Sequence, residues 1–167
     1  MNKRCYIKIG VLLVLGLCIF TGCMTEKDKK YSMEDLDNLA KIEIYSAEND
    51  KLLKTIEDEK NLYRYNQCIS IDDTDIEKRQ KELEKSIEGK KEQYYFIAYK
   101  HSVARFSKEK VEKNTMVTLY ENSNIVKMTV SEESIKGASI PQEFLVFYYE
   151  ISDEDMEFYH SLIENYI

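Results

Sequence analysis

The sequence predicts an α+β fold, an antiparallel sheet of about five or six strands with helices packed on one face. Segments that alternate apolar and polar residues on either side of turn-forming residues occur at positions 41–56 and 116–130. Apolar residues recur at helical spacing in segments at positions 59–69, 72–93 and 152–166. These strands and helices fit a single domain over residues 32–167, because roughly 100 to 200 residues build one core.

The first of these segments predicts a ββα unit. Residues 41–45 and 51–56 are β-prone and flank a polar turn, so we expect them to form a hairpin. Asp58 can cap a helix over residues 59–69, which would pack on that hairpin. The apolar stripe of this helix consists of Leu62, Tyr65 and Ile69.

The middle of the chain begins with its most charged part, residues 72–93. A sparse apolar stripe and a C-capping Gly89 predict a solvated helix there. The stripe consists of Ile76, Leu83 and Ile87. Residues 94–99 are aromatic and favour a strand, which residues 103–106 would continue or pair with.

The second half predicts a further hairpin, a strand and a final helix. Residues 116–120 and 125–130 flank a connection rich in Asn and Ser, which is typical of a tight turn. Residues 144–151 follow the single proline, Pro141, as a largely apolar and aromatic run, which predicts a central strand buried on both faces. Ser152 then begins the last helix, with Asp155 in a capping position. Its apolar stripe consists of Met156, Tyr159, Ile163 and Tyr166.

The N-terminal 22 residues have the anatomy of a signal peptide. Lys3, Arg4 and Lys8 form a positive region, and residues 9–20 follow as an apolar run. A helix of that length spans about 18 Å, well short of the roughly 30 Å of a bilayer core. We therefore expect residues 1–22 to be cleaved, although an uncleaved anchor and simple secretion stay open.

The segment Phe20, Thr21, Gly22 and Cys23 resembles the lipobox of bacterial lipoproteins, in which an apolar residue and two small residues precede a cysteine. The resemblance implies a lipid on Cys23 and a location at the extracytoplasmic face of the cell membrane. Residues 23–31 would then be the lipidated cysteine and a polar tether. The remaining domain resembles small uncharacterised lipoproteins of low-GC Gram-positive bacteria in its tyrosine-, lysine- and glutamate-rich composition.

The charge balance limits the partners. Residues 23–167 contain 21 basic and 31 acidic residues, a net charge of −10. Nucleic-acid binding is disfavoured because phosphate contacts need clustered Lys and Arg. Membrane attachment is therefore expected to depend on the lipid anchor.

The sequence contains no motif for catalysis, a metal or a cofactor. There is no H-E-x-x-H, C-x-x-C or G-x-S-x-G, and an EF-hand register in residues 73–84 fails because Lys78 replaces the required glycine. We expect no metal and no cofactor. Cys68 would be the single remaining thiol of the lipidated, cleaved chain, and we expect it to be buried.

Thirteen tyrosines are the feature that indicates a binding face, since rigid amphipathic rings suit contact with a protein, a peptide or a cell-wall component. Tyrosine is also an ordinary strand residue. The leading hypothesis is a non-enzymatic surface binding module. A cell-envelope hydrolase with an unrecognised carboxylate pair and an immunity or inhibitor lipoprotein are the alternatives. The candidate residues for the binding face are Tyr94, Tyr95, Tyr99, Tyr148 and Tyr149.

Overall fold

Six antiparallel strands form one open sheet in the computed structural model, which describes residue 32 and residues 36–68, 76–102, 110–134 and 145–164. The order of strands across the sheet is β2-β1-β3-β4-β5-β6. The predicted α+β fold with an antiparallel sheet is confirmed. The strands are β1 Leu39–Ser46, β2 Leu52–Ile56, β3 Glu92–His101, β4 Val111–Tyr120, β5 Ile125–Val130 and β6 Val146–Glu150.

Three α-helices accompany the sheet in the described residues, with a short 3-10 turn at Glu132–Ser134. Asp58 caps the first helix by accepting a hydrogen bond from the Asn61 backbone N–H, and Ser152 caps the third by accepting one from Asp155. Both predicted caps are confirmed, and each satisfies a backbone donor that the first turn leaves free. The helices are α1 Glu59–Gln67, α2 Ile76–Ser86 and α3 Asp153–Ser161.

The hydrophobic core lies on the face of the sheet that α1 and α3 cover. Tyr159 of α3 is fully buried, with its ring centre 5.0 Å from that of Phe96 and 5.7 Å from that of Tyr65 in α1. Edge-to-face contacts of this kind add to the free energy of burying the rings. Cys68 is buried beside them, as predicted, and burial raises the pKa of its thiol to about 12. The sheet residues of this core are Leu39, Ile42, Ile44, Ile56, Phe96, Ala98, Val117, Leu119 and Val126.

The hairpin predicted at residues 116–130 is confirmed as the β4–β5 pair. Val117 pairs with Met128 and Leu119 with Val126, so apolar side chains of the two strands meet across the pair. Asn122 in the connecting turn has a positive φ of 50°, a conformation that Asn adopts more readily than most residues.

The prediction of a central last strand is wrong, because β6 lies at the edge of the sheet and pairs with β5 alone among the described strands. Its residues 146–149 are half-buried rather than buried on both faces. Tyr149 packs against the core, whereas the Tyr148 hydroxyl donates to Glu84 of α2 at 3.3 Å. Tyr148 can therefore lie on an edge strand because its hydroxyl group reaches a polar partner.

Helix α2 covers the outer edge of β6 rather than the core face. The Gln80 side-chain amide donates to the Tyr148 carbonyl at 2.9 Å and accepts from the Tyr148 N–H at 2.6 Å. These two bonds satisfy edge groups that could otherwise pair with another strand. Leu83 and Ile87 are buried, and Gly89, with φ of 79°, follows the helix where a C-cap is predicted.

Several predicted features lie outside the described residues. These are the signal peptide, Cys23 and the tether, Ile69, the segments 72–75 and 103–106, Pro141, Phe144 and Tyr166. All described elements belong to the compact unit Tyr31–Ile167. Among the helices formed by described residues, none has the length and apolar character needed to cross a membrane.

Candidate functional site

The sheet face opposite the core carries a row of tyrosines. Side chains alternate between faces along a strand, so the burial of Ile42 and Ile44 in the core places Glu43 and Tyr45 on the other side. The same alternation puts Tyr95 and Tyr99 of β3 on that side. We call this surface, defined by Tyr45, Tyr95 and Tyr99, the tyrosine face.

Glu43 is the central polar group of the tyrosine face. Its carboxylate accepts hydrogen bonds from the hydroxyl groups of Tyr45 and Tyr99, both at 2.8 Å, and from Lys41 Nζ at 2.5 Å. Burial by itself raises the pKa of Glu43, but the three donors outweigh it and lower the pKa below its ordinary value. The carboxylate therefore stays ionised and holds both rings in place.

Tyr45 and Tyr95 form a stacked pair next to this centre. Their ring centres lie 5.0 Å apart with an interplanar angle of 9°. The Tyr95 hydroxyl donates to Asp50 Oδ1 at 3.0 Å, and burial together with this bond raises the pKa of Tyr95 to about 12. Asp50 lies in the turn between β1 and β2 and has a φ of 55°, in the left-handed region of backbone conformation.

A second tyrosine–glutamate group lies further along the same face, on β3, β4 and β5. Glu92 accepts a hydrogen bond from the Tyr120 hydroxyl at 3.0 Å and forms an ion pair with Lys127 at 2.7 Å. Burial raises the pKa of Glu92, but the bonds from Lys127 and Tyr120 outweigh this effect and lower it. This group, like Glu43, is held as an anion.

A cleft of about 490 Å³ separates this second group from helix α2. Its walls carry acids and bases in equal number, so no net charge selects a ligand there. It is lined by Lys81, Glu84, Lys85, Ile87, Glu88, Gly89, Lys90, Glu92, Tyr120 and Tyr148.

The five tyrosines predicted as a binding face are divided between the two sides of the sheet. By strand alternation, Tyr95, Tyr99 and Tyr148 lie on the side of the sheet opposite the core, whereas Tyr94 and Tyr149 pack against the core. Consecutive residues in a strand point to opposite sides, so each Tyr-Tyr pair had to split.

The sequence analysis missed four residues at the tyrosine face, and it also missed Glu92, Tyr120 and Lys127 of the second group. Lys41, Glu43 and Tyr45 alternate with the two core isoleucines of β1, and this period of two was the signal that could have identified them. Asp50 gave no such signal, because its contact with Tyr95 depends on the β1–β3 register.

Neither glutamate of this side of the sheet is suited to act as a general acid. A general acid needs a raised carboxyl pKa, but the pKa values of Glu43 and Glu92 are lowered. Within the described ranges, no group of three or more His, Cys, Asp and Glu side chains is placed to hold a metal ion. Comparison of the chain with protein-family models, with curated proteins and with solved structures finds no match.

Proposed function

We propose that this chain is a lipid-anchored protein at the extracytoplasmic face of the cell membrane, where its tyrosine face binds a protein or peptide ligand. The observation that carries the binding proposal is the set of three tyrosines whose hydroxyl groups are fixed by Glu43 and Asp50. Membrane attachment rests on the lipobox-like segment that ends at Cys23.

Pre-organisation supports a role in binding. A tyrosine side chain offers a large apolar ring with few rotatable bonds, so little conformational entropy is lost when it is covered. Here the rings are already held by carboxylates and by stacking at 5.0 Å. These side chains have therefore already lost most of their conformational entropy on folding, so little more is lost when a ligand binds.

The location of the face also suits a ligand. Tyr45, Tyr95 and Tyr99 are all half-buried, so each residue keeps some surface accessible to solvent. Exposed aromatic surface beside polar groups is typical of the contact regions of protein interfaces.

Mass spectrometry of the protein from its native membrane tests the anchor. The expected N-terminus is Cys23 carrying a diacylglyceryl thioether, and the Cys23→Ala variant should lose the lipid and be released from membranes. An intact Met1 or an unmodified Cys23 sulfur would contradict the lipoprotein proposal.

Site-specific photo-crosslinking on intact cells tests the binding surface. A photoreactive amino acid replaces exposed Glu48 in the turn beside Tyr45, and the control position is exposed Glu157 on α3, the helix that covers the core face. We expect adducts from position 48 that the Tyr95→Leu variant abolishes. Equal adducts from both positions, or adducts unaffected by Tyr95→Leu, would contradict the proposed binding face.

A further inference from the structure

The same arrangement of three side chains occurs twice on the sheet face opposite the core. In each, a lysine ammonium lies over a tyrosine ring, and both the lysine and the tyrosine hydroxyl bind the same glutamate carboxylate. Lys41 Nζ lies 4.7 Å from the centre of the Tyr99 ring and 2.5 Å from Glu43. The Tyr99 hydroxyl donates to the same carboxylate at 2.8 Å.

The second instance involves different strands. Lys127 Nζ lies 5.8 Å from the centre of the Tyr120 ring and 2.7 Å from Glu92, to which the Tyr120 hydroxyl donates at 3.0 Å. In both sets the negative ring face and the carboxylate attract the cation together. The protein thus contains two copies of a tyrosine–glutamate pair that binds a cation, and in each copy the cation is a lysine of the same chain.

A third tyrosine–carboxylate unit lacks such a lysine. Tyr95 donates to Asp50 Oδ1 at 3.0 Å and stacks on Tyr45. Among the described residues, no ion pair joins Asp50 to a Lys or Arg side chain, although Asp50 is exposed. We refer to Tyr45, Tyr95 and Asp50 as the acidic corner.

We propose that the acidic corner binds a lysine or arginine side chain of a basic peptide segment in the ligand. This inference rests on the proposed function, since it names the chemistry that the tyrosine face selects. Asp50 supplies the ion pair and the Tyr95 ring supplies the aromatic surface, as Glu43 and Tyr99 do for Lys41.

Overall charge supports a basic partner. Residues 23–167 carry a net charge of −10, so a basic segment is attracted from a distance and an acidic one is repelled. Long-range attraction speeds encounter with any acidic surface of the protein, whereas the acidic corner adds a local contact. At physiological salt, the long-range attraction is weakened because charges more than about 8 Å apart are screened, whereas the local contact at the acidic corner remains.

The test measures fluorescence anisotropy of a fluorescein-labelled hexalysine peptide with the full-length chain in neutral detergent at about 150 mM salt. We expect Asp50→Asn and Tyr95→Leu each to raise Kd about threefold, and the double variant about tenfold. The Tyr95→Phe variant keeps the ring but loses the hydrogen bond to Asp50, so its Kd should lie between those of the parent protein and Tyr95→Leu. Thermal unfolding by circular dichroism shows whether each variant is folded.

The matched control is Glu157→Gln, which removes one exposed negative charge from α3 and should leave Kd nearly unchanged. Equal effects of Asp50→Asn and Glu157→Gln, or no hexalysine binding at all, would overturn the inference.

A hexalysine with acetylated side chains distinguishes the two proposals, and we expect it to bind much more weakly. If it binds as tightly as hexalysine and Tyr95→Leu weakens both, the tyrosine face binds peptides without selecting a cation. That result overturns the present inference and leaves the proposed function standing. If neither peptide responds to Tyr95→Leu, the inference is overturned, and the crosslinking experiment decides the proposed function separately.

Discussion

Replacement of Glu43 by alanine removes the acceptor shared by three side chains of the tyrosine face. The two tyrosine hydroxyl groups lie 2.8 Å from the carboxylate and Lys41 lies 2.5 Å from it. The Glu43 side chain is 14% exposed, so the bonds are partly shielded from water. We expect Glu43→Ala to destabilise the fold and to loosen the site.

The size of the effect follows from these contacts. A hydrogen bond from a tyrosine to an ionised carboxylate contributes about 1.5 kcal/mol, and a partly exposed ion pair contributes about 0.5 kcal/mol. The freed hydroxyl groups can bond to water on an accessible face, which recovers part of the loss. We therefore expect Glu43→Ala to lower the free energy of unfolding by about 2 kcal/mol.

Urea denaturation followed by circular dichroism measures this change. Glu48→Ala, at an exposed turn position, is the control and should change the free energy of unfolding by less than about 0.5 kcal/mol. If Glu43→Ala is no more destabilising than Glu48→Ala, the carboxylate does not organise the tyrosine face and the argument for pre-organisation fails.

The same variant makes a prediction about pH. The pKa of Glu43 is lowered from 4.5 in the folded protein, so its contribution to stability is complete above about pH 4.5 and is lost as the pH falls through the lowered folded value. The difference in stability between the parent protein and Glu43→Ala should therefore shrink below pH 4.5. A difference that is constant from pH 7 to pH 3 would contradict the charged role of Glu43.

Three further changes test other parts of the structure. Tyr159→Phe removes a buried hydroxyl that has no hydrogen-bond partner among the described residues, so the free energy of unfolding should rise by about 1 kcal/mol in urea denaturation; a decrease would show that the hydroxyl is bonded. Gln80→Ala removes both bonds to the edge of β6, so hydrogen exchange at the Tyr148 amide should accelerate about tenfold; an unchanged rate would show that the helix does not protect this edge. Gly89→Ala should lower the free energy of unfolding by about 1 kcal/mol because a φ of 79° is unfavourable for alanine, although no atom lies within 4 Å of the added Cβ. Thermal unfolding measures this change, and an unchanged melting temperature would contradict the prediction.

Local signals predicted most of the described elements. The cap at Asp58, the cap at Ser152, the turn before β5 and the glycine after α2 each depend on a few neighbouring residues. Their conformations follow from short-range hydrogen bonding and sterics, which a sequence displays directly. The antiparallel pairing of β4 with β5 follows from the same kind of local turn.

The position of β6 could not be predicted because an apolar run does not distinguish a central strand from an edge strand that a helix covers. Phe147 and Tyr149 alternate with Tyr148, and all three are half-buried. What protects the edge is Gln80, which lies 68 positions earlier in the chain. Such a contact depends on tertiary packing, so no pattern within β6 indicates it.

The candidate site was only partly predictable for the same reason. The sequence identified tyrosine as the residue type, but a row of adjacent tyrosines is divided between two faces by the pleat of the strand. Tyr45 meets Tyr95 because β1 and β3 are neighbours in the sheet, although α1, α2 and β2 separate them in the chain. Asp50 contacts this pair from a turn, and only its hydrogen bond with the Tyr95 hydroxyl distinguishes it from other acidic turn residues. Strand order therefore determines which tyrosines can act together, and β1, which contributes Glu43 and Tyr45, contributes as much to the face as the tyrosine-rich β3.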